Sequence, residues 1–118
     1  MIVVLPKGVI EVVLEPLVQV EVTRLGAKDV VVVSGEIDLS TAGQLQGVLA
    51  QFSGNVLYAD LRGVQFIDSA GLAVLIKEQG RLAETGGELK LVVKDQSPVL
   101  RLLELTGVAQ SFSVAGSL

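Results

Sequence analysis

Apolar and polar residues alternate along the chain in two different periods. "LVQVEVTRL" (Leu17–Leu25) alternates apolar and polar residues, the pattern of a half-buried strand. "GAKD" is its turn, and "VVVVSGEID" (Val30–Asp38) follows as a nearly continuous apolar run, the pattern of a strand covered on both faces. In "STAGQLQGVLAQF" the period changes. Leu45, Val48, Leu49 and Phe52 recur at helical spacing, and Thr41 and Gln44 stand at capping-box distance. "SGN" should end that helix, with Gly54 as a left-handed C-cap. "VLYADL" (Val56–Leu61) reads as a further strand. A second helix begins near "DSAGL" and continues to about Thr85, with an expected inner face of Leu72, Leu75, Ile76, Leu82 and Ala83. Gly86 and Gly87 break it. "ELKLVV" (Glu88–Val93) is a strand, Ser97 and Pro98 open a third helix that Gly107 closes, and "VAQSFSVAGSL" is a short last strand or tail.

From residue 30 onward strands and helices alternate, which predicts an α/β domain with parallel strands joined by crossover helices. The earlier strands follow one another directly, so the sheet is expected to be mixed. Residues 1–16 hold two further Val/Ile-rich runs, Ile2–Leu5 and Val9–Leu14, separated by a Pro-Lys-Gly turn, and read as a hairpin or an added edge strand.

Composition narrows the function more than the fold. A chain of 118 residues, half of them hydrophobic, suits one domain with one core. It has neither Cys nor His. Thiol catalysis, disulfides, thiolate metal sites and a Ser-His-Asp triad therefore cannot be built from it. Absence of Cys fits a reducing compartment. The nine basic residues are scattered singly and the net charge is −4, so no phosphate-neutralising patch favours nucleic acid. No run is long enough to span a bilayer, and the apolar start lacks the basic and continuous hydrophobic regions of a signal peptide.

Two short stretches carry candidate chemistry. In "FIDSAGL" Ser69 lies where a strand passes into a helix, a common place for ligand contacts in α/β sheets. It has two readings: a helix N-cap, or a hydroxyl that is modified. As a modified residue it would gain about −1.5 to −2 charges on phosphorylation, beside Asp68, with the helix N–H groups available to receive the phosphate. A hydrolytic nucleophile is the least favoured reading: Ile67 replaces the first glycine of a G-x-S-x-G elbow, no His can act as base, and the one conceivable helper, Lys77, lies about two turns along the same helix. In "GEID", Glu36 and Asp38 would share a strand face. They could divide acid and base roles or bind a divalent cation, or they could simply lead into the cap at Ser40 or Thr41.

Three blocks in order, "VVVVSGEIDLSTAGQL", "VLYADLRGVQFIDSAGLAVLI" and "LKLVVKDQSPVLRLLELTG", resemble the STAS domain, and most closely bacterial anti-sigma factor antagonists. The likeness covers about residues 17–115, dividing the chain into an N-terminal extension (1–16) and a STAS domain (17–118). It implies a single STAS-like domain with helices packed mainly on one side of a mixed sheet. It implies a cytoplasmic, non-enzymatic protein without cofactor or metal. Unphosphorylated, such a protein binds an anti-sigma factor that is a serine kinase and so frees a sigma factor. Phosphorylation of Ser69 releases it, and a phosphatase resets it. Asp38, Asp68, Ser69, Gly71 and Arg62 are the implied partner-binding residues. Ala70 stands where many members carry a second hydroxyl. The alternative is a STAS accessory subunit that binds the ATPase of a lipid-transport ABC system. Neither role involves nucleic acid or membrane insertion, and residues 1–16 could pair two copies as a homodimer.

Overall fold

The structure, a computed structural model, describes the backbone of residues 2–5 and 8–14, and the backbone and side chains of residues 18–118. The turn expected at Pro6-Lys7 and the boundary expected at residue 16 lie outside the described residues.

Among the described residues, seven strands form one sheet in chain order. They are β1 (Ile2–Leu5), β2 (Gly8–Leu14), β3 (Val18–Leu25), β4 (Lys28–Ile37), β5 (Val56–Ile67), β6 (Glu88–Val92) and β7 (Ser113–Ala115). The first four pair antiparallel and the last four pair parallel, so the sheet is mixed as the pattern predicts. The parallel pairs need crossovers, supplied by α1 (Ala42–Leu49), α2 (Ser69–Glu84) and α3 (Pro98–Thr106). Each crossover steps one strand in the same direction. Since such connections are right-handed, all three helices fall on one face.

That face holds the core. Val18 and Val20 of β3, Val31, Val33 and Ile37 of β4, Leu57, Ala59 and Leu61 of β5, and Leu89 and Leu91 of β6 are buried beneath Leu45, Leu49, Leu72, Leu75, Leu82 and Leu103 of the helices. Among the described residues, the opposite face carries no helix. There Val30 is buried, but Val32 and Ser34 are only half-buried, so β4 is not fully covered on both sides as its apolar run suggested. Tyr58 lies on this open face, its ring centroid 5.1 Å from Lys28 Nζ and 5.8 Å from Lys90 Nζ.

β5 is twice as long as its alternation announced. Its register against β4 skips twice, from Val32↔Asp60 to Ser34↔Gly63 and from Gly35↔Val64 to Glu36↔Phe66. Each skip is a bulge that turns the following residues to the other side. Core residues therefore run Leu57, Ala59, Leu61, then Val64, then Ile67, a spacing that no period-2 reading detects. The first bulge also brings Gly63 against β4, where a Cβ would stand 2.9 Å from Ser34 Cβ.

Three helix details correct the sequence reading. Thr41 makes no capping bond to α1, and that helix ends at Ala50 rather than Gly54. The inner face of α2 uses Leu72, Val74, Leu75, Glu78 and Leu82, while Ile76 and Ala83 are exposed. α3 follows expectation: Ser97 Oγ accepts the Leu100 N–H at 3.2 Å, Pro98 is the first helical residue, and Gly107 closes at φ 75°.

Candidate functional site

The C-terminal ends of β4 and β5 are adjacent in register, Ile37 beside Ile67, so the loops that leave them meet at one end of the sheet. The first loop contains Asp38 and the second Asp68 and Ser69. A backbone bond from Asp68 N–H to the Ile37 carbonyl, 3.1 Å, ties the two together.

Asp38 organises its own loop. Its Oδ1 accepts from Ser40 N–H at 2.9 Å, Ser40 Oγ at 2.7 Å and Thr41 N–H at 3.1 Å. Thr41 Oγ1 in turn accepts the Asp38 N–H and donates to the Glu36 carbonyl, each at 2.9 Å. The threonine hydroxyl is thus committed backward to the turn, which is why it does not cap α1. The Ser40 hydroxyl above all, helped by the Ser40 and Thr41 amides and the Thr41 hydroxyl, holds the Asp38 carboxyl below its ordinary value against the opposing effect of burial.

Asp68, not Ser69, is the N-cap of α2. Its Oδ1 accepts from the N–H groups of Ala70 at 2.9 Å and Gly71 at 3.2 Å. Ser69 becomes the first helical residue. It is exposed, and its hydroxyl makes no hydrogen bond among the described residues. The cap has a chemical consequence. Of the helix N–H groups expected to receive a phosphate on Ser69, those of Ala70 and Gly71 already hold the Asp68 carboxylate.

Gly71, expected at a partner surface, is buried. A Cβ on it would lie 2.7 Å from Ile37 Cγ2 and 2.8 Å from Ile67 Cγ1. The residue lets the first turn of α2 press onto the ends of both strands, and so fixes where Ser69 emerges. Arg62 lies elsewhere. It forms a two-pronged pair with Asp60 inside β5, Nε to Oδ1 at 2.9 Å and Nη2 to Oδ2 at 2.8 Å, five residues up the strand from Ile67. Glu36 pairs in register with Phe66, Asp38 lies one residue past the end of β4, and no acidic cluster able to hold a metal ion forms among the described residues. Asp38, Asp68 and Ser69 are therefore brought together, and Arg62 is not.

Two residues at this end escaped the sequence reading. Leu39, between Asp38 and Ser40, is 84% exposed, and Phe66, three residues before Ser69, is 46% exposed. For Leu39 the available signal was an apolar residue inside a polar turn. For Phe66 the broken alternation of β5 concealed which side it takes.

Residues 20–115 match the family model described as Mlab, STAS domain. No curated protein matches the sequence. Among solved structures, the chain is similar to an anti-sigma factor antagonist from Mycobacterium paratuberculosis, with 28% identity and a TM-score of 0.73 over 98% of this chain and 92% of that one. It shares the fold of the Thermotoga maritima protein TM1081, at 20% identity and a TM-score of 0.68 over 82% of this chain and 86% of that one. It shares it also with the anti-sigma factor antagonist SpoIIAA in its unphosphorylated form, at 17% identity and a TM-score of 0.63 over 81% of this chain and 87% of that one. A family match over most of the length, on a sheet and helix order that the sequence pattern itself announces, places the chain in the STAS domain family.

Proposed function

We propose that this chain is an anti-sigma factor antagonist switched at Ser69. In this reading it docks, unphosphorylated, on an anti-sigma factor serine kinase through the end of the sheet that carries Asp38, Asp68 and Ser69, and thereby frees a sigma factor. The kinase supplies ATP and Mg²⁺. This chain supplies the acceptor hydroxyl and the docking surface, and a phosphatase restores it. The observation that carries the reading is the exposed, unbonded Ser69 hydroxyl at the first position of a helix already capped by Asp68. Such a hydroxyl can be modified without removing a bond from the fold. The phosphate would find the Asp68 carboxylate beside it, already holding the Ala70 and Gly71 amides, and would present its dianion to the partner. Little change in the fold and a large change at the interface is what a switch requires.

The test is mass spectrometry of the purified chain after incubation with ATP and lysate of the source organism, with Ser69→Ala beside it. One phosphoryl group on Ser69, absent from the variant, is the expected result. A lysate that phosphorylates other proteins but leaves Ser69 unmodified would overturn the switch. Co-purification with a transporter ATPase in place of a kinase would then select the accessory-subunit reading, with Ser69 as a contact residue only.

A further inference from the structure

The end of the sheet around Ser69 presents two kinds of side chain, and they are not equally available. Each carboxylate has one oxygen engaged within its own turn. Asp38 Oδ1 is engaged by Ser40 and Thr41, and Asp68 Oδ1 by Ala70 and Gly71. The apolar side chains face outward. Leu39 stands at the tip of the Asp38 turn with 84% of its surface exposed, and Phe66 is 46% exposed on the adjoining strand. Nothing in the turn requires a leucine. Its geometry is set by Asp38, Ser40 and Thr41, which would hold any residue at position 39 in the same place. A large apolar side chain on a turn fixed by this many bonds is pre-organised for contact, because little conformational freedom remains to be lost on docking. Of the other exposed large apolar residues, Leu25, Val56, Leu105 and Val114 lie at the β3–β4 turn, the start of β5, α3 and β7, and Ile76 lies further along α2, seven residues beyond Ser69. Leu39 and Phe66 are the two that share an end of the sheet with Ser69, on loops and strands joined by the Asp68–Ile37 bond.

We propose that Leu39 and Phe66 are the docking anchors of this surface, that they enter an apolar pocket on the kinase, and that Asp38 is a positioning residue that holds Leu39 rather than a charge that the partner reads. This rests on the kinase-antagonist reading above and deepens it. It also gives the switch a physical cause. A contact built on Leu39 and Phe66 is dried when it forms, and a phosphate on Ser69 would carry a dianion into it, at the cost of that ion's hydration. A partner that recognised the surface by basic residues would instead be attracted by the phosphate.

The experiment measures binding of the purified anti-sigma factor kinase of the source genome to the full chain, by calorimetry, with each variant's thermal unfolding recorded alongside. Leu39→Ala and Phe66→Ala are each expected to weaken binding about tenfold or more while unfolding at the temperature of the parent chain. Asp38→Ala should weaken binding, and Asp38→Asn, which keeps an acceptor oxygen for Ser40 and Thr41 but has no charge, should restore it. Raising salt from about 50 to about 300 mM should change the parent's affinity by less than about threefold, since few ions are involved. Parent-like binding of both Leu39→Ala and Phe66→Ala would overturn the inference, as would failure of Asp38→Asn with its turn intact or a steep loss of affinity with salt, while leaving the antagonist reading in place. A parent chain that neither binds the kinase nor is phosphorylated by it would overturn both.

Discussion

Asp60 and Arg62 show at one pair of residues how context decides what a charge does. Both face the sheet side that has no helix, and Asp60 is nearly buried there. Arg62 reaches back across the first bulge and donates twice to its carboxylate, which holds the Asp60 carboxyl below its usual range, mainly through the side-chain hydrogen bond and against opposing desolvation. The guanidinium stays charged at every accessible pH, so Asp60 is the group of this pair that titrates in acid. A depressed folded-state pKa stabilises the fold above the unfolded value, near 4, and that contribution disappears as pH falls through the lower, folded-state value. Arg62→Gln is therefore expected to raise the Asp60 titration, followed by carboxyl carbon NMR, and to lower stability to urea at pH 7. The difference should vanish at a pH where Asp60 is protonated in both proteins. An equal loss at both pH values would assign Arg62 a packing role instead. Sequence alone named Arg62 as a candidate, yet not its partner, because a two-residue separation on a regular strand allows the contact without requiring it. The bulge is what shapes this one.

At the scale of the element, α2 joins the Ser69 end of the sheet to the rest of the core. Its second half carries Glu78, 1% exposed, on the face that a hydrophobic pattern would assign to an apolar residue. Arg81, one turn on, bonds Glu78 Oε1 at 2.9 Å and extends Nη2 to the carbonyls of Leu49 at 3.0 Å and Phe52 at 2.7 Å. Those carbonyls belong to the end of α1 and the segment after it, where backbone acceptors lack helical partners. One guanidinium thus neutralises a buried carboxylate and closes a neighbouring helix. Arg81→Ala would leave Glu78 buried without its cation, and a loss of about 3 kcal/mol is expected in chemical denaturation. Glu78→Gln in the same background should recover part of it by removing the unpaired charge, and no recovery would refute the pairing as the cause. The existence and approximate limits of α2 were legible in its helical period. Its orientation was misread by including Ile76 and Ala83, because hydropathy ranks a glutamate as a surface residue and cannot see a cation on the following turn.

Across the whole molecule, the family match begins at residue 20, whereas β1 and β2 precede it and continue the sheet in antiparallel order. β1 is an edge strand whose four residues, IVVL, include no charge, proline or glycine to discourage further pairing. The expectation that residues 1–16 are an extension separable from the STAS domain and able to join two copies yields a measurable outcome. The full chain should elute from gel filtration as a dimer, and a chain lacking residues 1–16 as a monomer that still unfolds cooperatively. A shortened chain that no longer folds would make β1 and β2 part of the domain itself, and a monomeric full chain would remove the dimer.

What the sequence determined by itself was what depends on local period, turn residues and missing chemistry. Alternation and helical spacing set the order of strands and helices. Glycine and proline set most of the breaks, and the absence of Cys and His removed whole classes of catalysis. Parallel pairing and right-handed crossovers then follow from the order of elements alone. What only the tertiary structure decided were the relations between residues that no period links. The two bulges in β5 change which residues face the core. Asp68, rather than its neighbour, takes the cap. The ends of β4 and β5 meet, so that Leu39, Phe66 and the Ser69 hydroxyl come to one end of the sheet. These outcomes arise from competition for the same donors and acceptors, and from space left between packed backbones, so they exist only once the segments have been brought together.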